Sequence, residues 1–235
     1  MKNKGLFITF EGGEGSGKST QVELLQKMLE GQGKSVVVTR EPGGCPGAEV
    51  IRKLLVTGDP EQWTKQEEIF LFMTARSKHL REVVFPAIRQ GQIVLCDRFN
   101  DSTVAYQGYG EGDDAEIRAE ITREYARIAG NFKPDLTVLL DIPVDIGLRR
   151  SQRPGNKELR FESKKIEFHE NLRRGYLAIA KSEPNRFLVV DANQPKERVF
   201  QDIVNGMATR QFFLKIQKAG AEEEPITWTP LSNSR

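Results

Sequence analysis

Eight residues constrain this chain more than any others. Gly12-Gly13-Glu14-Gly15-Ser16-Gly17-Lys18-Ser19 fits G-x-x-x-x-G-K-[ST] and follows the apolar run Leu6-Phe7-Ile8-Thr9-Phe10. A strand that enters such a loop and leaves as a helix is a phosphate cradle. The glycines allow a tight turn that aims several N–H groups inward, and the new helix adds the positive end of its dipole. Lys18 then reaches the terminal phosphates, and the Ser19 hydroxyl is a ligand for Mg²⁺. Gly12 to Thr20 is therefore the expected triphosphate site. The alternative, a glycine-rich surface turn with a stray lysine, does not account for the strand before it and the helix after it.

The rest of the chain repeats strand and helix around that loop. Ser19 to Gly31 has Val22, Leu25 and Leu29 at helical spacing, and Ser35 to Arg40 is a β-branched strand ending in the turn-rich Glu41-Pro42-Gly43-Gly44-Cys45-Pro46-Gly47. Helices are expected over Ala48 to Val56 and over Thr64 to Val84, the second stopping before Pro86. Ile93 to Asp97 and Leu136 to Asp141 are apolar strands that each end in a carboxylate, with a helix from Ala115 to Ala129 between them. Val144 to Ser151, Lys164 to Lys181 and Lys196 to about Lys218 complete the helices, and Arg186 to Asp191 is a fifth strand. The expectation is an α/β, three-layer P-loop fold: a five-stranded parallel sheet with helices on both faces. One domain over residues 1–218 is expected, with a mobile lid at about 149–162 and a disordered tail over 219–235.

Bulk composition narrows the partners. Lys+Arg number 35 against 33 Asp+Glu, so no nucleic acid or other long polyanion is expected to bind. No run is long enough for a signal sequence or a membrane span, which predicts a cytoplasmic protein. Cys45 and Cys96 have no partner spacing for a disulfide or zinc site, and His79 and His169 sit in charge-rich helical patterns and read as ordinary structure.

Phosphoryl transfer is mostly alignment and charge neutralisation, so cations should gather where the strands end. Asp97 is placed to hold or orient the metal's water shell, and Asp141 competes for that role. Arg98 is a natural phosphate clamp or else a surface ion pair. Arg149, Arg153 and Arg160 lie in or beside the breaker-containing stretch from 149 to 160. They either close over a triphosphate or form a solvated charge run. Phe72 and Arg76 are four apart, so one helix face offers a ring and a guanidinium to grip a planar base. The apolar neighbours Ile69, Phe70, Leu71 and Met73 favour a core position for Phe72 on pattern alone.

These motifs together resemble the thymidylate kinase family, through FITFEGGEGSGKSTQ (7–21), TREPGGCPGAEVIRKLL (39–55), LFMTAR (71–76), DRFNDSTVAYQG (97–108) and LLDIPVDIGLRR (139–150). The resemblance implies Mg²⁺-dependent transfer of the ATP γ-phosphoryl group to dTMP, giving dTDP, in a homodimer. It implies that Glu14 meets the 3′-hydroxyl of the acceptor sugar, that Arg52 and Arg98 hold its phosphate, and that Phe72 and Arg76 stack on and hydrogen-bond thymine, which reverses the core reading. Pro42 packs nearby, and Ser102, Tyr106 and Gln107 lie beneath base and sugar, Tyr106 crowding any 2′-hydroxyl. One branch of the family carries an arginine where this chain has Gly15, so the resemblance is to the bacterial branch, with the compensating arginine in the lid. Arg153 is the first choice and Arg149 the second, while Arg160 resembles the element that closes the lid. A kinase for another nucleoside monophosphate is the nearest rival. A guanine-reading switch would need [NT]-K-x-D, and Asn156-Lys157-Glu158-Leu159 lacks the Asp.

Overall fold

The computed structural model describes residues 4–59, 61–151, 160–161 and 163–219. Five strands, β1 (Leu6–Glu11), β2 (Val36–Arg40), β3 (Ile93–Asp97), β4 (Leu136–Asp141) and β5 (Phe187–Asp191), form one parallel sheet in the order β2-β3-β1-β4-β5. Every residue of β1 is buried, as expected for a strand covered on both faces. Its one hydroxyl, Thr9 Oγ1, is satisfied by Thr137 Oγ1 of β4 at 2.9 Å. Register aligns the strand ends: Phe10 and Arg40 both sit opposite Asp97. The chain fills one side of β1 with β2 and β3, then crosses to the other for β4 and β5. That reversal opens a crevice at the carboxyl edge.

The helices are α1 (Lys18–Gly31), α2 (Pro46–Val56), α3 (Lys65–His79), α4 (Phe85–Arg89), α5 (Asn100–Tyr109), α6 (Ala115–Ala129), α7 (Val144–Ser151), α8 (Ile166–Ser182), α9 (Lys196–Thr209) and α10 (Phe212–Lys218). Strand alternation divides the core between the two faces. Ile8, Phe10 and Leu95 meet Leu25 and Leu29 of α1 and Ile203 of α9, whereas Phe7, Val94 and Cys96 meet Ile69 of α3 and Ile121 of α6. A third cluster packs α5 and α8 over Leu139 and Phe187. The three-layer fold expected from the strand and helix pattern is the one observed.

Three elements differ from the sequence reading. The helix beginning at Lys65 does not stop before Pro86: a π-turn over Leu80–Val84 carries it into α4. Pro86 follows directly on Phe85, whose N–H reaches back five residues to Leu80 O, and this wider π spacing is what carries the helix past a residue with no N–H. The stretch from Asn100 to Tyr109 is a helix that periodicity misses, because polar Asp101, Ser102, Thr103 and Gln107 are buried along with Ala105 and Tyr106. The expected single helix from Lys196 to about Lys218 breaks at Gln211, whose φ of 53° is left-handed. That break turns Phe212 and Ile216 into the core of the α1 face. Ala219, expected to begin a disordered tail, is still buried. Residues 152–159, which include Arg153 and most of the expected lid, and 220–235 lie outside the described residues.

Candidate active site

A cavity of about 710 Å³ opens at the carboxyl edge of the sheet, within the range of small-molecule sites. Its walls come from the loop after β1, the ends of β2 and β3, and helices α2, α3, α5 and α7. One half is the phosphate cradle. Gly12, Gly15 and Gly17 have φ of 139°, 66° and 90°, a backbone that turns N–H groups to one side. Lys18 Nζ donates to Gly12 O at 3.1 Å and Gly13 O at 2.9 Å. Burial, with Arg98 nearby, pushes the Lys18 ammonium down to about 8 against the pull of Asp97 and Glu14. Ser19 Oγ donates to Asp97 Oδ2 at 2.6 Å, and Thr20 also lines the cavity.

The two strand-end acids separate clearly. Asp97 is half-buried, lines the cavity and meets Ser19, whereas Asp141 is taken by Arg173, which donates from Nε at 2.7 Å and Nη2 at 2.9 Å. Asp97 is thus the acid beside the cradle.

Arg98 stands between the halves. Its φ of 68° is left-handed for a residue with a Cβ, a conformation that costs about 1–3 kcal/mol unless its surroundings fix it. Its N–H donates to Phe10 O at 2.9 Å. Its guanidinium donates to Gly12 O, Tyr176 Oη and Glu14 Oε1, each at 3.0 Å, and to Ser102 Oγ at 3.2 Å. Burial opposes the charge on Glu14, but Arg98, Lys18 and the Tyr106 hydroxyl, 2.5 Å away, hold its carboxyl below the usual range. The Arg98 guanidinium lies 5.1 Å over the Tyr106 ring, so Arg98, Glu14 and Tyr106 form one unit.

Beneath that unit is Glu11, fully buried. Its Oε1 accepts from Phe99 N–H at 2.8 Å and its Oε2 from Ser102 Oγ at 2.5 Å. Burial, with Asp101 adding to it, pushes Glu11 up to about 7, against the opposing pull of Ser102, Arg98 and the Phe99 N–H.

The other half of the cavity is a slot between α3 and α5. Phe72 is half-buried and lines it. Arg76 is 2% exposed, and its guanidinium is anchored: Nε donates to Glu41 Oε2 at 2.7 Å, Nη1 to Asn100 Oδ1 at 3.1 Å and Nη2 to Thr103 Oγ1 at 2.9 Å. Glu41 is itself pinned, because His79 Nδ1 lies 2.8 Å from its Oε1 and His79 Nε2 lies 2.7 Å from Thr39 Oγ1. A carboxylate only accepts, so His79 Nδ1 carries a hydrogen. Burial opposes the Glu41 charge, but Arg76 and His79 hold the carboxyl below its ordinary range. Arg52 lines the slot and donates to Pro42 O at 2.7 Å.

The arginines after β4 part company. Arg149 pairs with Asp145 at 2.9 Å and its side chain is 70% exposed. Arg150, not singled out from sequence, lines the cavity and donates to Ala192 O at 2.9 Å. Arg160 is 3% exposed and pairs with Glu68 of α3. Position 15 admits no side chain: a Cβ there would lie 2.0 Å from Gly147 O and 3.0 Å from Arg150 Cβ. Helix α7 fills the space that a P-loop arginine would need and carries Arg150 alongside. His79 is load-sharing structure behind Arg76, and His169 is buried in α8.

Of the residues predicted from sequence, the cavity wall brings together Glu14, Gly15, Gly17, Lys18, Ser19, Thr20, Pro42, Arg52, Phe72, Arg76, Asp97, Arg98, Ser102, Tyr106 and Gln107. Sequence reasoning assigned no role to Glu11, Glu41, Glu68 and Tyr176, buried partners of those residues, and its reading of His79 as ordinary structure agrees with a ring that pins Glu41. Only Glu68 carried a signal, four residues before Phe72 on the same helix face.

The family model described as thymidylate kinase matches residues 10–203. A thymidylate kinase of Magnetococcus marinus is 46% identical over 209 residues, covering 89% of this chain and 98% of that protein. One from Caulobacter vibrioides is 47% identical over 196 residues, covering 83% and 92%. The crystal structure of thymidylate kinase from Ehrlichia chaffeensis superposes with a TM-score of 0.69 at 32% identity, covering 86% of this chain and 98% of that one. The match spans the cradle, the slot and Arg98 between them, and this chain belongs to the thymidylate kinase family.

Proposed function

We propose that the protein transfers the γ-phosphoryl group of ATP to dTMP, giving dTDP and ADP. The observation that carries this reading is a single cavity in which Arg98 joins a triphosphate cradle to a slot for a planar base. A phosphate oxygen of dTMP attacks the γ-phosphorus in line with the departing ADP, without a covalent enzyme intermediate. Lys18 and the loop N–H groups hold the ATP phosphates, and Arg98 and Arg52 hold the acceptor phosphate. Glu14 accepts from the sugar 3′-hydroxyl, and the Tyr106 ring packs against the sugar where ribose would carry its 2′-hydroxyl. Thymine stacks on Phe72, with its carbonyl edge toward Arg76 and Gln107 beside it.

Mg²⁺ fits the donor set. The described residues hold no cluster of three His, Cys, Asp or Glu, and an ion held mainly by phosphates and waters needs only one or two protein oxygens. Ser19 and Asp97 supply them, and the bound ion neutralises phosphate charge. Within a single domain over 1–218, the lid supplies the remaining cation. Arg153 is our choice to meet the γ-phosphate, with Arg149 second and Arg150 supporting the donor side, while Arg160 anchors the lid through Glu68. Arg153→Ala is expected to lower kcat by about 10²-fold with dTMP binding nearly intact. An equal loss in Arg149→Ala with none in Arg153→Ala moves the role.

We place the reaction in the cytoplasm, where both nucleotides are dissolved; among the described residues no helix is long and apolar enough to cross a membrane. A homodimer is supported by Val50, Leu54 and Phe70, which are 62%, 45% and 54% exposed on the packed pair α2 and α3. Steady-state assays with dTMP, dUMP, UMP, dCMP and AMP test the assignment. A clear preference for dTMP is expected, and a flat profile or a preference for another acceptor overturns it.

A further inference from the structure

Helices α3 and α5 meet across the base slot in two rungs. At one, Arg76 donates to Asn100 and Thr103 at 3.1 and 2.9 Å. At the other, Gln107 Nε2 donates to Glu68 Oε2 at 2.8 Å. Glu68, Phe72 and Arg76 recur every four residues on α3, as Thr103 and Gln107 do on α5, so Phe72 lies between the rungs. Gln107 is 3% exposed and lines the cavity, and its Oε1 has no hydrogen-bond partner among the described residues.

An amide has a donor end and an acceptor end, and a fixed partner decides which way it points. Glu68, 7% exposed, only accepts, so it draws the Gln107 NH₂ and leaves Oε1 for the slot. Glu68 is held in turn: its Oε1 pairs with Arg160 Nη2, and Arg160 donates to Leu55 O at 3.0 Å and Asp59 O at 3.2 Å.

We infer that Glu68 is a positioning residue for base specificity: by fixing the sense of the Gln107 amide it selects pyrimidines with a protonated N3 over those with a bare N3. This rests on the base-slot reading given above. Thymine presents N3–H beside its 4-carbonyl, which meet the acceptor of Gln107 and the donor of Arg76. Cytosine presents a bare N3 beside a 4-amino group and meets both with the wrong sign. Uracil has the thymine pattern and is not separated by this pair.

The test compares kcat/KM for dTMP and dCMP in Glu68→Gln, Arg160→Met and Gln107→Leu, with KM for ATP and the melting temperature recorded for each. A Glu68→Gln side chain can donate to the Gln107 carbonyl, which frees the amide to turn. The dTMP-to-dCMP ratio is expected to fall about tenfold, through KM for dTMP. Arg160→Met keeps the carboxylate, so it lowers the melting temperature but holds the ratio. A wild-type ratio in folded Glu68→Gln overturns the inference, as does an equal fall of the ratio in Arg160→Met. If Glu68→Gln does not fold, the Arg160→Met/Glu68→Gln pair, which removes both buried charges, is read by the same criteria. An unchanged ratio in Gln107→Leu shows that the base-slot reading itself is wrong, and a collapsed ratio there with none in Glu68→Gln defeats only the role of Glu68.

Discussion

Glu11 is a buried acid one residue before the cradle, and its surroundings make stability depend on pH. Its carboxyl stands at about 7 in the fold against 4.5 in the unfolded chain, chiefly because burial penalises the charge. Below pH 4.5 both states are protonated and the contribution is fully present. As pH rises from 4.5 to 7 the unfolded chain loses its proton while the native state keeps it, so stability falls, by ~3 kcal/mol in all. Glu11→Gln removes that decline. Urea unfolding at intervals from pH 5 to 8 should show wild-type stability dropping relative to the variant up to about pH 7 and then running parallel. A difference that does not change with pH contradicts the burial argument. Glu11 was not legible in the sequence because its partners Phe99 and Ser102 lie 88 and 91 residues away. Lys18 and Ser19 were legible because spacing within one loop sets their positions. Glu41, whose partners Arg76 and His79 come from another element, shares the fate of Glu11.

At the scale of elements, strands that end in acids were easy to read, since an apolar run buried on both faces is conspicuous. Helix α5 was not, because its polar residues are buried by partners rather than by periodicity. Pro86 and Gln211 misled in opposite directions. The proline sits where a π-turn leaves no bond for it to break, and nothing local at Gln211 announces a left-handed turn whose reason is the burial of Phe212 and Ile216. Phe72 shows how an element settles a residue. Its neighbours suggested core, but α3 points it into the cavity while Ile69 and Met73 take the core positions. Phe72→Ala should therefore raise KM for dTMP about tenfold while costing about 1 kcal/mol or less of stability, since a half-buried ring leaves little cavity behind. Steady-state kinetics paired with urea unfolding checks both. A loss of 3 kcal/mol or more, with normal dTMP binding in Phe72→Leu, would return the ring to the core.

For the whole molecule, the strand-end alignment gathers Glu11, Glu41, Asp97 and Arg98 at one edge, so the proposed donor cradle and acceptor slot share a cavity with Arg98 between its halves. The surface away from that cavity carries Val50, Leu54 and Phe70, and a second copy of the chain is the proposed cover. Phe70→Asp should shift sedimentation from dimer toward monomer at micromolar concentration, because the exposed ring makes no contribution to the core while an aspartate in an apolar interface must be desolvated. An unaltered dimer moves the interface elsewhere.

Arg98 is proposed to join a donor cradle to an acceptor slot. A crystal structure with dTMP, Mg²⁺ and a non-hydrolysable ATP analogue would show whether it does. Thymine is expected stacked on Phe72 with its carbonyl edge at Arg76 and N3–H at Gln107, the dTMP phosphate on Arg98 and Arg52, and the triphosphate on Lys18. A dTMP base bound away from Phe72 and Arg76, or a dTMP phosphate out of reach of Arg98, would contradict it.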